Sequence, residues 1–272
     1  MRVAIAGWHY RHRSMAENIR YFAAAGYDVF SALGKDFAEA FQNPGEPDEI
    51  AAAIRESGCA FTVHYGIADP ADREATAAFY RSILDILAWQ RKYGLLEILS
   101  FDVWYPEVYA AVEYIVSAFA KETTKIAFED FCLAALPEKY AQLWKKYPFY
   151  ELLDAGHMNI HLYSADKDNS PKAFLREMQG IPLPVIETHI HNNRGLKDMH
   201  CPLLDPTLLA EEEGTFPTRR YIRNLHALGW DDVIITVEIM PFLYGARGEH
   251  GDAVAIQDLR FVRRILELEC QT

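Results

Sequence analysis

Four cysteines, at positions 59, 132, 201 and 270, form no CxxC pair and no dense framework. That spacing excludes a disulfide-stapled small domain and fits reduced thiols in a cytoplasmic protein. Cys59 and Cys132 lie among apolar neighbours suited to a core. Cys201, beside His200, reads as a small packing residue rather than a reactive thiol. Basic charge is also scarce: 27 Lys and Arg face 39 Asp and Glu, leaving a net charge of −12. Nonspecific affinity for nucleic acid comes mainly from Lys and Arg on phosphates, so this balance weighs against a nucleic-acid partner. No apolar run approaches the ~18 residues of a membrane span. The N-terminal run Met1–Gly7 is too short for the apolar core of a signal peptide, which points to the cytoplasm. There is no Gly-rich phosphate loop, repeat, low-complexity tract or linker.

What is present is a regular alternation. Half of the residues are hydrophobic, enough for a substantial core. Strand-length apolar runs are expected at Val3–Gly7, Asp28–Ala32, Ala60–His64, Leu96–Phe101, Lys125–Glu129, Tyr150–Asp154, Val185–His191 and Val233–Ile239. Helices are expected at Ser14–Ala25, Pro47–Ser57, Asp69–Tyr93, Pro106–Lys121, Pro137–Lys146, Pro171–Gln179, Thr218–Leu228 and Asp252–Glu269. Ser14 reads as an N-cap, and Gly26, Gly58, Gly94 and Gly229 as stops. Strict alternation implies parallel strands joined by right-handed crossovers. Eight such units in about 250 residues predict a single-domain α/β protein, a (β/α)8 TIM barrel spanning 1–272. A doubly wound open sheet is the rival. The longest irregular stretch, Gly195–Pro217, is read as a functional loop.

Active sites of such barrels lie at the C-terminal ends of the strands. Those ends carry His64, Glu129 with Asp130, Asp154 with His157, His189 with His191, and Glu238. Asp198 and His200 follow in the loop after the seventh strand. Imidazole and carboxylate together suit Mn, Zn, Fe or Co, whereas a pure oxygen set would suit Mg or Ca. Each residue alone has an ordinary reading: Asp154-x-x-His157 is also a capped turn, and Asp198-x-His200 a polar loop. Their convergence on one face predicts a divalent metal site. Trp8 and Trp104 are candidate walls for a sugar ring. In the run after the first strand, His9 could line the pocket, while His12 and Arg13 are expected at a solvated helix entry.

These segments resemble the xylose isomerase-like TIM barrel superfamily, which holds sugar-phosphate isomerases and epimerases together with endonuclease IV (AP endonuclease family 2). Leu153-Asp154-Ala155-Gly156-His157 is similar to its Asp-x-x-His segment. Thr188-His189-Ile190-His191-Asn192-Asn193 is similar to its His-x-His-Asp segment, and Asp198-Met199-His200-Cys201-Pro202 to its Asp-x-His-x-Pro segment. Lys125–Glu129 and Thr236-Val237-Glu238 match the strands that each supply a metal-binding Glu. The resemblance implies that Glu129, Asp154, His189 and Glu238 hold a principal metal, Mn or Zn foremost, with Fe, Co or Mg as alternatives. It implies a second metal or substrate at His64, His157, His191, Asp198 and His200. Two departures stand out. The endonuclease carries a His where this chain has Asp102, an oxygen ligand in its place, and Asn192 replaces an Asp.

The expected activity is isomerisation or epimerisation of a sugar, sugar phosphate or polyol. Glu129 and Glu238 would move the proton, while Arg194 and His157 would hold substrate oxygens. The alternatives are an inosose-type dehydratase, an endonuclease IV-like phosphodiester hydrolase, and a non-catalytic barrel that binds a metal or small ligand. Gly245-Ala246-Arg247-Gly248 lies where barrels often bind phosphate and reads equally as a plain turn. A homo-oligomer is compatible with the sequence.

Overall fold

The computed structural model describes the chain except Trp104, Pro106, 131–135, Lys167, Asn169, 205–214 and 270–272, together with the side chains of His9, Asp166, Pro171 and Tyr244. The expectations for Trp104, Cys132 and Cys270 therefore lie outside the described residues. Among the described residues, eight parallel strands close into one barrel in chain order. They are β1 (Arg2–Ala6), β2 (Val29–Leu33), β3 (Ala60–Gly66), β4 (Leu96–Asp102), β5 (Lys125–Glu129), β6 (Tyr150–Asp154), β7 (Val185–Ile190) and β8 (Ile234–Val237). Around them run α1 (Met15–Ala25), α2 (Gly34–Ala40), α3 (Glu46–Ser57), α4 (Arg73–Tyr93), α5 (Tyr109–Ala118), α6 (Glu138–Lys146), α7 (Ala155–Asp166), α8 (Pro171–Gly180), α9 (Thr218–Ala227) and α10 (Glu249–Glu269). The predicted TIM barrel is the observed fold, and no described helix is long and apolar enough to cross a membrane.

Each strand is buried on both faces, which is why its sequence reads as a nearly continuous apolar run. The outward faces pack under the helices through a belt of buried rings that includes Phe22, Phe30, Phe61, Phe101, Phe128 and Tyr221. Truncating one such ring to Ala typically costs about 3–5 kcal/mol. The inward faces form a smaller plug of Ala4, Val29, Ile98, Ala127, Leu152 and Ile234. This plug closes the N-terminal end of the barrel and leaves the C-terminal rim for polar side chains.

Helix boundaries follow local chemistry. Ser14 forms a capping box with Glu17 at the start of α1, and Gly26 stops that helix in the left-handed conformation at φ 108°. Asp72 accepts from the Glu74 and Ala75 amides at 3.0 Å each and opens α4. Two helices were not expected from the sequence, α2 and α7. Helix α7 begins directly at the end of β6, in a stretch to which the sequence pattern assigned no element.

His12 and Arg13 stand at the entry to α1 as expected, His12 exposed and Arg13 half-buried, and both also reach Asp252. The His12 Nε2 lies 3.1 Å and the Arg13 guanidinium 2.7 Å from its Oδ2. A fully buried carboxylate in the first turn of α10 needs such partners. Cys59 and Cys201 are both buried, as expected of packing residues.

The register delivers the site. His64 pairs with Ser100 across β3 and β4, and Asp102 with Glu129 across β4 and β5. A slip between Glu151 and Leu152 sets Asp154 opposite His189. Glu238 follows β8 directly and donates its amide to the Ile190 carbonyl at 3.0 Å. Acidic and imidazole side chains from six neighbouring strand ends thus share one rim.

Candidate metal centre

His189 is the hub of the rim. Its ligand atoms lie with those of His64 and Glu129 in one group, and with those of Asp154 and Glu238 in another. The His189 Nδ1 is 3.0 Å from Glu238 Oε2. On the opposite side, His64 Nε2 is 3.2 Å from both Asp102 Oδ1 and Glu129 Oε2. His64 Nδ1 lies 3.1 Å from the Ser100 hydroxyl, which itself reaches the Val63 carbonyl at 3.5 Å. The hydroxyl's proton is thereby committed to that carbonyl. Ser100 then accepts from Nδ1–H, leaving Nε2 turned toward the carboxylates.

A second group joins His191, Asp198 and His200, and a third joins Glu129, Asp130 and His157. Asp198 and His200 reach the rim because Asn192 and Cys201 form an antiparallel bridge, with N···O distances of 2.9 and 3.0 Å, that folds the loop back over the end of β7. His200 Nδ1 is 3.1 Å from the Glu238 carbonyl, an acceptor only, so Nδ1 carries the hydrogen and Nε2 faces Asp198 at 3.0 Å. His191 Nε2 is 3.4 Å from both Asp154 Oδ1 and Asp198 Oδ1. His157 Nδ1 meets Asp130 Oδ2 at 2.9 Å, and its Nε2 lies 3.5 Å from Asp198.

Asp154 serves two purposes. Its Oδ1 accepts the His157 amide at 2.8 Å and caps α7, while Oδ2 has no hydrogen-bond partner. The capped-turn and ligand readings of Asp154-x-x-His157 are therefore compatible. Asp130 and His200 are the non-glycine residues in left-handed backbone, at φ 48° and 46°, among the described residues. Such conformations cost of order 1–3 kcal/mol and cluster at functional sites.

The electrostatics are those of a buried carboxylate and imidazole cluster that holds protons. Burial works against a charged His64, but Asp102 and Glu129 outweigh it and raise its pKa to about 10. Burial likewise opposes a charged His200, and Glu238 and Asp198 raise it to about 9. His157 and His189 are raised as well, against burial, by their carboxylate neighbours. Asp154 and Asp198 are held below the usual carboxylate range by surrounding imidazoles despite burial. The two glutamates diverge. Burial pushes Glu129 well up, whereas His189 and His200 overcome burial and hold Glu238 down.

A divalent ion fits this arrangement. Asp154 Oδ2, both His189 nitrogens, His191 Nε2 and Glu238 Oε2 are buried without a hydrogen-bond partner. His189 Nδ1 and Glu238 Oε2 approach to 3.0 Å yet are not directed at each other as donor and acceptor. Two ligands of one ion at metal–ligand bonds of about 2.1 Å stand roughly 3.0–3.4 Å apart. The mixed nitrogen and oxygen set suits Mn, Zn, Fe or Co.

Glu129, Asp154, His189, Glu238, His64, His157, His191, Asp198 and His200 all fall in these groups. Trp8 stacks on His64 with ring centroids 5.8 Å apart and also lies beside His189, forming a wall of the site. Arg194 is exposed and belongs to none of the groups. Sequence reasoning missed Glu187, which is fully buried two residues before His189 on the same face of β7. Its signal was available, as a Glu at an inward position of a strand whose neighbouring runs are apolar.

No protein-family model and no curated protein matches the chain. Solved structures do match, and the fold is that of the xylose isomerase-like TIM barrels. One match is D-psicose 3-epimerase with D-tagatose from Clostridium cellulolyticum H10, at 15% identity and a TM-score of 0.64, over 98% of this chain and 99% of that one. Another is 3-keto-D-glucoside 4-epimerase from E. coli, at 16% identity and 0.64, over 97% and 99%. A third is endonuclease IV from Thermus thermophilus, at 16% identity and 0.64, over 98% and 99%.

Proposed function

We propose that the protein is a metal-dependent isomerase or epimerase acting on a sugar, sugar phosphate or related polyol. The observation that carries this reading is the pair Glu129 and Glu238. Both are buried, both lie beside His189, and their surroundings push their proton affinities in opposite directions. Pairs of titratable groups driven apart in this way mark acid and base roles. Glu238, ionised, removes a carbon-bound proton, and Glu129, protonated, returns one to the neighbouring carbon or oxygen. A divalent ion held by Asp154, His189 and Glu238, and by Glu129 when that carboxyl is ionised, would polarise a carbonyl and an adjacent hydroxyl. Trp8 covers the apolar face of the substrate, and His157 and Arg194 hold its oxygens. Two of the similar structures are sugar epimerases, which supports the substrate class.

The test is elemental analysis of wild type, Glu129→Ala and His189→Ala, followed by a ketose and inositol panel. About one equivalent of Mn, Zn, Fe or Co, lost in both variants, with conversion of one sugar into an isomer of equal mass, is the expected result. A product lighter by one water would turn the assignment to a dehydratase working from the same site. Metal without turnover would leave a ligand-binding barrel.

A phosphodiester hydrolase is the second reading, favoured by the separate group His191, Asp198 and His200 beside the first. Two or three zinc equivalents and salt-sensitive DNA affinity would establish it over the isomerase. The net charge of −12 argues against it.

A further inference from the structure

The most unusual group near the site is one that the proposed chemistry does not use. Glu187 is fully buried on β7 and shares the inward face of the strand with His189. Its backbone pairs with Leu152 and Ile234, two residues of the apolar plug, so the carboxylate sits between plug and rim. The Oε1 accepts the Thr236 hydroxyl at 2.7 Å and lies 3.8 Å from His189 Nε2, while Oε2 has no partner. Among the ion pairs of the described residues, His189 is the basic neighbour of Glu187. A carboxylate taken out of water is costly unless something needs it there.

We infer that Glu187 is a positioning residue for His189, which it steers from below through Nε2–H so that Nδ1 presents its lone pair to the metal position. The imidazole stands between two carboxylates, with Glu238 3.0 Å from Nδ1 and Glu187 3.8 Å from Nε2. A neutral ring has one N–H and one lone pair, and the group facing the N–H decides which nitrogen is free to ligate. Glu238 lies against Nδ1 at 3.0 Å, which leaves Glu187, at 3.8 Å, as the anion that Nε2–H faces. Thr236 fixes the carboxylate in that place by donating to it. Partners of this kind hold a metal-binding imidazole in one tautomer and orientation. The inference rests on His189 being a metal ligand and adds the residue that orients it.

The probe is Co2+ alone, titrated into metal-free protein, read by visible absorption and chelator competition, with thermal melts of the metal-free forms. Glu187→Gln and Glu187→Leu are expected to bind Co2+ about 10–100-fold more weakly, with a shifted ligand-field band. Metal-free melts serve to confirm that both variants fold, since removing one member of the buried His189–Glu187 pair lowers the metal-free Tm. Thr236→Val should weaken binding in the same direction by less. Wild-type affinity and spectrum in Glu187→Gln would overturn the inference while leaving His189 a ligand. Weaker binding with an unshifted ligand-field band in both Glu187 variants would also overturn it, by showing a loss of packing and not of ring orientation. Failure of the wild type to bind Co2+, with His189→Ala indistinguishable from it, would remove the metal reading and this inference together.

Discussion

Gly156 and the His191 imidazole are in such close contact that a Cβ added at 156 would overlap Nε2 and Cε1 of the ring. The first turn of α7 therefore passes directly against a ring that also faces Asp154 and Asp198, each at 3.4 Å. Gly156→Ala must displace one of them. It should destabilise the protein by about 1–3 kcal/mol, as overpacking does. It should also lower metal occupancy at the His191, Asp198 and His200 group while sparing the group around Glu129. Denaturant unfolding and metal stoichiometry measure both, and a variant with unchanged metal content would show that His191 is no ligand.

Glu238→Gln keeps the shape of the side chain and one oxygen, but cannot take up a proton. Exchange of the substrate's carbon-bound proton with solvent deuterium should fall by at least about 100-fold, the usual contribution of a positioned base. Metal should be partly retained through Glu129, Asp154 and His189. Unchanged turnover in this variant would sink the assignment of Glu238 as base.

The pH dependence of the metal-free protein follows from His64 and His200. Their folded pKa values, about 10 and about 9, lie above the unfolded value of about 6.5. Raised values mean that the folded state holds protons more tightly. Their stabilisation is complete below about pH 6.5 and is lost as pH rises through about 9 and 10. The metal-free Tm should thus fall between pH 7 and 10, and a bound metal should flatten the fall by replacing those protons. Calorimetry at neutral pH in buffers of different ionisation enthalpy should report proton release on metal binding. An absence of released protons would mean that these imidazoles are already neutral.

Ser14→Ala offers a contrast far from the chemistry. It removes the side-chain half of the capping box with Glu17 and should cost about 1 kcal/mol. Metal affinity should not change, so a concurrent loss of metal would reveal coupling between α1 and the rim.

The barrel was legible because its strands are buried on both faces. Lys125–Glu129 and Tyr150–Asp154 read correctly to the residue, each bounded by a polar terminus. Helix α2 was missed because it is seven residues long, follows β2 without a break and has no side-chain cap. Helix α7 was missed because its sequence, AGHMNIHLYSAD, has no apolar stripe. Its polar residues are spent inward. Asn159 is fully buried and donates to Asn193 at 2.6 Å, and His157 faces the rim.

The site was legible residue by residue, but its grouping was not. His189 and His191 share a face by period, yet β7 ends at Ile190 and the chain then turns. The two imidazoles thus fall in different groups, His189 with Glu129, Asp154 and Glu238 and His191 with Asp198 and His200, while Asp154 lies 3.4 Å from His191 as well. Asp102, read as a stand-in oxygen ligand, does meet His64, at 3.2 Å. Glu187 carried a signal in its inward strand position, whereas the Asp252 clasp went unseen because nothing local distinguishes a buried helix carboxylate from a solvated one.

The hub residues come from β3, β4, β5, β6, β7 and the end of β8, from His64 to Glu238 along the chain. No short segment carries more than a fraction of them. The register between neighbouring strands, and finally the pairing of β8 with β1, brings them within reach. If the proposed metal is bound there, its affinity is a report on ring closure. A chain stalled with seven strands in place would lack Glu238 and bind poorly, so an ion added during refolding would select the closed ring over its open precursors.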